Sequence, residues 1–352
     1  MGTIEPTCPR CDGTLAGADR SWICLDCGAG YRGLRGIPDL RVLEDVYLAN
    51  DNDWAIAEAL DADFDRLDFR GLLDRYFERA NDVTPAQQAR QVEHILSAPE
   101  RVRSWLDALG PSASAGPTLD LGCGSGSFLA AVGGDGGDLI GVDIAMRWLV
   151  VARKRLDEEG LNHVRLVCGC AERLPFRPGS FARVVAGDVI EHVADQSATL
   201  NEAHRVLRPG GALFLASPNR YSLAPEPHVG VWGVGYLPRA WMPAYVRWTS
   251  GRDFRAIRTL GFGEWKRLFE RSEFRDARIE APRLPVSEVD RFRGGKRRLG
   301  RIYNAVIGTR AGQAVALAFG PLFHVVCRKA GPPATAPSPA TRRGSRLPAG
   351  PG

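Results

Sequence analysis

The sequence does not open with a basic head followed by an apolar core; MGTIEPTCPRC is not of the secretory-signal type. Nor does it hold an uninterrupted apolar run near the roughly 20 residues that cross a bilayer. The nearest approach, 314–326, is short and contains His324. A strong charge bias is also missing: the formal net charge is +5 over 352 residues, which by itself demands no polyanionic partner. With 44% hydrophobic and 25% charged residues, the composition is not that of a disordered chain. It has enough apolar material for a full α/β domain and one or two small additions. The expectation is a soluble, cytoplasmic chain, in which the eight cysteines are thiols or metal ligands rather than disulfides.

What is present is unevenly distributed. The stretch 44–82 is rich in Asp and Glu, whereas Arg291, Arg293, Lys296, Arg297, Arg298 and Arg301 crowd one short span. Between 53 and 109 apolar residues recur at helical spacing (Trp54, Leu60, Phe64, Leu67, Leu72, Leu73, Tyr76 and Phe77, then Val92, Ile95, Leu96, Val102, Trp105 and Leu106). Pro85 and Pro99 read as helix starts, and 110–117 reads as a linker. Short apolar runs at 118–121, 139–143, 164–168, 182–186 and 212–216 then alternate with helical segments such as 146–159 and 197–207. That alternation predicts a parallel sheet with helices on both faces. A Pro-, Gly- and Trp-rich stretch follows Pro218. A helix at 262–272 and strands at 275–280 and 322–328 would close the sheet. From Gly331 onward the composition is that of a disordered tail.

The chemistry begins where the first of those runs meets a helix, at LDLGCGSGSF (119–128). Glycines there let the backbone turn tightly and approach a ligand, and the helix start offers free N–H groups. The next run ends in Asp143, a carboxylate placed to accept from a ribose diol. Nucleotide-binding folds of several chemistries share this much. Across residues 118 to about 218 the surrounding motifs narrow the choice. LDLGCGSG (119–126), GVDIA (141–145), CAERLPF (170–176), DVIEHV (188–193) and RVLRPGGALFLASPN (205–219) follow one another in order. On these the sequence resembles the class I S-adenosylmethionine (SAM)-dependent methyltransferases, of the methyltransferase type 11 kind. The resemblance implies a Rossmann-like, seven-stranded α/β sheet with helices on both faces. It implies that Asp120, Gly122 and Gly124 surround the methionine end of SAM, that Asp143 holds the ribose, and that Cys170, Ala171 and Glu172 lie against adenine. Many relatives carry Asp where this chain has Cys170, a poor acceptor, so adenine would lean on backbone groups here.

Methyl transfer is an in-line displacement whose leaving group needs no proton; the protein aligns nucleophile, methyl and sulfur. A hydroxyl or amine acceptor benefits from a base or a cation. Asp188, Glu191 and His192, at the end of the fourth run, would share one side of a helical turn. His192 would then act as base, or the three would hold a divalent cation, or they would orient the loop. The D/E-x-x-E-H pattern is similar to that of ubiquinone-biosynthesis O-methyltransferases and small-RNA 3′-end methyltransferases, where it binds metal. Neither a Pro-Pro-Tyr tetrad after the fourth run nor a nucleophilic thiol nearby is found, which disfavours DNA base methylation. Asn219, Tyr221 and His228 open the long insertion and are expected to line the acceptor pocket.

Cys8-x2-Cys11 and Cys24-x2-Cys27 are two knuckles whose four thiolates satisfy tetrahedral Zn²⁺ with no open position, a structural site. So short a module cannot bury a core alone, and metal would drive its folding. From Cys8 to Leu40 it resembles a zinc ribbon found with methyltransferases, as a separate activator subunit or fused ahead of the catalytic domain. The expected organisation is a zinc ribbon at 1–42, a helical segment at 43–110 packing on the catalytic domain, and the methyltransferase domain at 111–330. Insertions are expected at 220–260 and 284–320, and a tail at 331–352. The function expected is transfer from SAM to a small-molecule or lipid- or sugar-linked acceptor, at oxygen. RNA is the alternative partner, through the ribbon and the basic stretch; peripheral membrane contact is another use of that stretch. A SAM-binding scaffold without turnover is the third reading.

Overall fold

A computed structural model describes residues 4–43, 48, 52–79, 85–109 and 116–331. The tail from 332 on, most of the 110–117 linker and parts of the acidic stretch lie outside the described residues.

The chain opens with four short strands, β1 (Leu15–Ala18), β2 (Ser21–Cys24), β3 (Gly30–Leu34) and β4 (Ile37–Pro38), antiparallel and in that spatial order. Four helices follow: α1 (Asp53–Asp63), α2 (Phe69–Arg79), α3 (Pro85–Leu96) and α4 (Ala98–Leu109). On α2, Leu72, Leu73, Tyr76 and Phe77 are buried, which is the helical stripe visible in the sequence. Pro85 and Pro99 do fall in first turns, where a missing N–H costs no hydrogen bond.

The αβ alternation runs β5 (Thr118–Leu121), α5 (Ser127–Val132), β6 (Leu139–Asp143), α6 (Met146–Glu158), β7 (Arg165–Cys168), β8 (Phe181–Gly187), α7 (Gln196–Val206) and β9 (Leu207–Pro218). Then come α8 (Met242–Ser250), α9 (Phe262–Glu270), β10 (Asp276–Glu280), α10 (Val286–Arg291), α11 (Gly295–Val306), α12 (Arg310–Phe319) and β11 (Leu322–Arg328). The seven-stranded sheet has the order β10-β11-β9-β8-β5-β6-β7. Strands β5 to β9 are parallel, and β11 and β10 add an antiparallel edge. Strand order reverses at β5, between β6 on one side and β8 on the other, so the ligand crevice of such a sheet opens at the C-terminal ends of these strands.

The two larger apolar cores among the described residues lie one on each face of the sheet. One joins α1–α4 to α5 and α6; the other joins α7 and α9 to the strands. Leu34 and Ile37 of the small N-terminal sheet enter the first, and Leu40 enters the second. The ribbon also covers the free edge at β7: Leu40 N–H donates to Cys168 O at 2.8 Å, and Thr7 N–H donates to Pro175 O at 2.8 Å. An edge strand that would otherwise invite pairing with another chain is thereby closed.

Helix ends show how distant segments are tied together. Asp195 caps α7, accepting from Ser197 N–H at 2.8 Å and Ala198 N–H at 3.0 Å, which is why that helix begins one residue before the expected 197. Residue Ala145 at the start of α6 offers no side-chain cap, and Asp53 of α1 does the work instead. Its carboxylate accepts from Met146 N–H at 3.1 Å and Arg147 N–H at 3.2 Å. Arg41 Nη1 reaches Asp53 at 2.9 Å and Ile144 O at 2.9 Å, while its other nitrogens hold Asp39. The long insertion closes on itself: Arg220 N–H donates to Leu260 O at 3.1 Å, so 220–260 is a loop whose ends meet at the end of β9. Among the described residues no helix is long and apolar enough to cross a membrane.

Candidate active site

The turn after β5 is held by the neighbouring strand. Gly122 N–H and Cys123 N–H both donate to Val142 O, at 2.7 and 3.0 Å. Gly122 has φ +73°, and a Cβ there would come 2.2 Å from Val189 Cγ2, so both conformation and contact demand glycine. Asp143, at the end of β6, accepts from Gly124 N–H at 2.8 Å and from Ala145 N–H at 2.9 Å. The glycine turn and the acid thus form one hydrogen-bonded unit. Burial raises the Asp143 carboxyl to about 6, against the opposing pull of those two N–H groups. Asp120 is buried as well, and its Oδ2 has no hydrogen-bond partner among the described residues. Burial, with the charge of Asp143 behind it, pushes its pKa well above the carboxylate range. A buried carboxyl group left unmatched in this way is costly until a cationic or hydrogen-bonding ligand meets it.

Two cavities of about 210 and 230 Å³ share Gly122, Gly124, Trp148 and Asp188 as common walls. The first continues past Asp143, Ala171 and Glu172. The second runs past Asp120 and under Val102 and Trp105 of α4. Together they make an elongated cleft over the strand ends, one lobe beside Asp143 and the other beside Asp120. Gly187 is part of the second wall, and a Cβ there would lie 2.0 Å from the Trp105 ring.

The three residues expected at the adenine loop therefore do not all face the cleft alike. Ala171 and Glu172 line it, and the Glu172 carboxylate accepts from Ala194 N–H at 2.9 Å. Cys170 is fully buried with its Sγ 3.7 Å from Leu43 O, turned toward the N-terminal segment rather than the cleft.

Asp188 and His192 line one cavity and the charge of Asp188 acts on Glu191, but the three do not share the side of a helix. Asp188 sits in the left-handed region at φ +55°, so no helix runs through it, and the turn starts after it, with His192 N–H donating to Val189 O at 2.8 Å. Asp188 stays on the cleft wall. His192 lines the same cavity, and Glu191 and His192 also meet His228 of the insertion, the three offering ligand atoms within 4.8 Å of one another. Glu191 is wholly buried; its Oε2 accepts from Ser217 Oγ at 3.0 Å, and its Oε1 lies 3.9 Å from His228 Nε2. Burial, followed by the charge of Asp188, raises the Glu191 carboxyl to about 8. The His192 imidazole is lowered to about 3 by burial and by His228, whose ring centroid is 4.8 Å away. His228 Nδ1 bonds Glu226 Oε1 at 2.6 Å, which fixes the ring and aims Nε2 at Glu191. Burial disfavours its charged form, yet Glu226, Glu191 and Asp188 outweigh that and the net shift is upward.

Of the other two residues expected at the acceptor pocket, Asn219 is buried and fastens the insertion: its Oδ1 accepts from Tyr221 N–H at 3.0 Å and its Nδ2 donates to Ala318 O at 3.3 Å. Tyr221 packs on Gly261 and beside Tyr236. Sequence reasoning missed Ser217, Glu226, Trp148 and Asp53. Only Glu226 carried a signal, its two-residue spacing from His228.

At the N-terminus the four cysteines come together as the spacing requires. Cys8 Sγ is 3.7 Å from Cys27 Sγ, and Cys11 Sγ is 3.5 Å from Cys24 Sγ. A tetrahedron of Zn–S bonds of about 2.3 Å has edges of about 3.8 Å, so the cluster fits zinc.

Residues 119–215 match the family described as methyltransferase domain. The ubiquinone biosynthesis O-methyltransferase of Pseudomonas paraeruginosa is 30% identical over 202 residues, 56% of this chain and 78% of the relative. That of Thiobacillus denitrificans is 33% identical over 152 residues, 43% of this chain and 61% of the relative, so the chain spans about three fifths of that protein. Among solved structures, phosphoethanolamine N-methyltransferase 2 of Haemonchus contortus in complex with S-adenosyl-L-methionine aligns with a TM-score of 0.46 at 18% identity. That alignment covers 66% of this chain and 52% of the other. With the glycine turn bonded to Asp143 and the family model spanning the strands that carry both, the chain belongs to the class I SAM-dependent methyltransferases.

Proposed function

We propose that this methyltransferase transfers the methyl group of SAM to an oxygen of a small acceptor seated between Asp188 and the 220–260 insertion. The reading is supported above all by the meeting of Glu191, His192 and His228 beside the cleft, because a hydroxyl acceptor needs its proton removed as it attacks. The O-methyltransferase names of the curated relatives agree with it. On the cofactor side, Asp143 accepts from the ribose diol, Gly122 and Gly124 admit the ligand's backbone approach, and Asp120 meets the charged methionine end. Ala171 and Glu172 flank the adenine, with Cys170 contributing its main chain. Asp188, on both cavity walls, marks where methyl and acceptor face one another.

The donor set of one carboxylate and two imidazoles suits a divalent cation. Glu191 Oε1 has no hydrogen bond among the described residues, and His228 already has the carboxylate partner that ligating histidines commonly keep. Glu191, His192 and His228 would hold the ion. Bound there, it would lower the acceptor hydroxyl's pKa. Without it, the Glu226–His228 pair can take the proton, Glu226 fixing the tautomer and Nε2 receiving it.

The test is incubation of the purified full chain with methyl-labelled SAM and, in parallel, small-molecule extract, lipid extract or total RNA. Label is expected in a hydroxylated small or lipid-linked molecule, and treatment with a chelator of divalent ions reports whether the ion is needed. Label confined to RNA would overturn the reading, and no label in any fraction would favour a SAM-binding scaffold.

A further inference from the structure

The segment between β10 and β11 carries more apolar side chains than it buries. On α11, Gly300, Tyr303 and Asn304 turn inward: Gly300 packs beside Val289, Tyr303 Oη donates to Pro282 O at 2.9 Å, and Asn304 bonds both polar groups of the Leu284 main chain. Leu299, Ile302 and Val306 lie on another stripe, exposed at 66, 50 and 49%. Their spacing of three and four residues puts them on one side of the helix. On α12 the same division recurs. Gly312 and Ala316 are buried while Val315 and Phe319 stand in solvent. The two helices meet where Val306 lies against Gly312, and Leu223 of the insertion, also exposed, donates its N–H to Phe319 O at 3.1 Å. The apolar surface therefore extends to the segment that follows β9, next to Asn219 and the acceptor side.

Its charge is predominantly positive. Lys296, Arg297, Arg298 and Arg301 lie on α11 itself and Arg310 begins α12. No Asp or Glu occurs in the sequence after Asp290, and Asp290 is engaged by Arg301 at 3.0 Å. A stripe that is aliphatic apart from Phe319 offers few stacking planes and no phosphate donors of its own, so it favours an apolar layer over RNA as the partner. Cations interleaved with an exposed aliphatic stripe match a bilayer interface, where the stripe enters the acyl boundary and the cations meet anionic headgroups.

We propose that α11 and α12 form a peripheral docking surface for an anionic lipid bilayer, laid beside the mouth of the acceptor pocket. The proposal does not depend on which atom is methylated, since binding to vesicles is read without turnover. The test is sedimentation of the full chain with phosphatidylcholine vesicles, with and without phosphatidylglycerol, at low and moderate salt. Sedimentation is expected with the anionic vesicles and is expected to weaken with salt. The triple variant R297E/R298E/R301E should lower the partition at least about tenfold. L299S/I302S/V306S should lower it similarly at low salt, where charge attraction remains. Calorimetric SAM affinity unchanged in both variants shows that they are folded. Three outcomes would overturn the proposal: no vesicle binding by the native chain; equal loss of RNA and vesicle binding in the charge variant with none in the apolar variant, which marks a general polyanion surface; or a lipid-free dimer that the apolar variant dissolves, which gives the face to a second copy.

Discussion

The two sides of Asp188 are built by different means. On the proposed cofactor side the groups sit at or just beyond strand ends, and main-chain hydrogen bonds fix them: Gly122 N–H and Cys123 N–H donate to Val142 O, and Gly124 N–H donates to the Asp143 carboxylate. On the acceptor side the groups come from a turn and a long insertion, and they are fixed by side chains: Ser217 on Glu191, Glu226 on His228, Gln196 on the Ile190 and Arg258 carbonyls. A sheet edge tolerates little change in where it points a ligand group. An insertion can be rebuilt without disturbing the sheet, which is how one cofactor fold serves many acceptors.

If that division holds, mutations should separate the two halves kinetically. The largest effect is expected from H228A, which removes the one cluster member supplied by the insertion. Turnover should fall by about 10²–10⁴-fold, the range of a lost general base, while SAM affinity stays within about twofold. Steady-state kinetics beside calorimetry measure both, and equal losses in the two would mean the halves are not separate. D143A should do the reverse. It removes a carboxylate that accepts from two main-chain N–H groups and is placed for the ribose, so SAM binding should weaken by about 100-fold, or roughly 2.7 kcal/mol, in line with charge-assisted hydrogen bonds.

A smaller effect tests whether the N-terminal segments belong to the cofactor half. Asp53 caps α6 beside the Asp143 turn and receives Arg41. D53A leaves two N–H groups and a guanidinium without that partner, and it should cost about 2 kcal/mol of stability, seen as a lowered Tm. SAM should bind more weakly as well, with turnover at saturating SAM preserved. D61A, which removes the carboxylate that holds Arg20 and Arg35 of the ribbon against α1, away from the Asp143 turn, should leave SAM affinity unchanged.

Much of this was legible in the residues, for a physical reason. Strand ends announce themselves as short apolar runs, and glycines and acids at their tips must stand where the ladder puts them. Hence the sheet, the meeting of the glycine turn with Asp143 and the four-cysteine cluster follow from pattern. The acceptor cluster did not, because His228 reaches Glu191 through a loop whose path is set by Asn219, Arg220 and Glu226, residues with no periodicity to read. For Asp188 the spacing assumed a helical turn through the residue, whereas its left-handed backbone lets the turn start only after it, at Val189. Cys170 shows the same limit at the level of one side chain, since strand and loop positions fixed its main chain but not the direction of its thiol. The cap from Asp53 spans 93 residues, a separation no local rule reaches.

The smallest expected effect separates the halves by pH alone. The Asp143 carboxyl is raised to about 6 by burial, not by a lost ion pair, so its charged form costs folding stability. That cost is absent below the ordinary carboxylate range, grows as pH rises through it, and is complete above about 6. Binding runs the other way, because only the carboxylate can accept from both ribose hydroxyls while keeping Gly124 and Ala145. One unit below its pKa the free protein is about nine-tenths protonated there, and SAM affinity at pH 5 should be about tenfold weaker than at pH 7. Calorimetry across that range checks it, with D143N as the control: its affinity should be low and flat. A decline of the same size in D143N would move the titration to another group and leave the acid at the end of β6 without its proposed part in holding the cofactor.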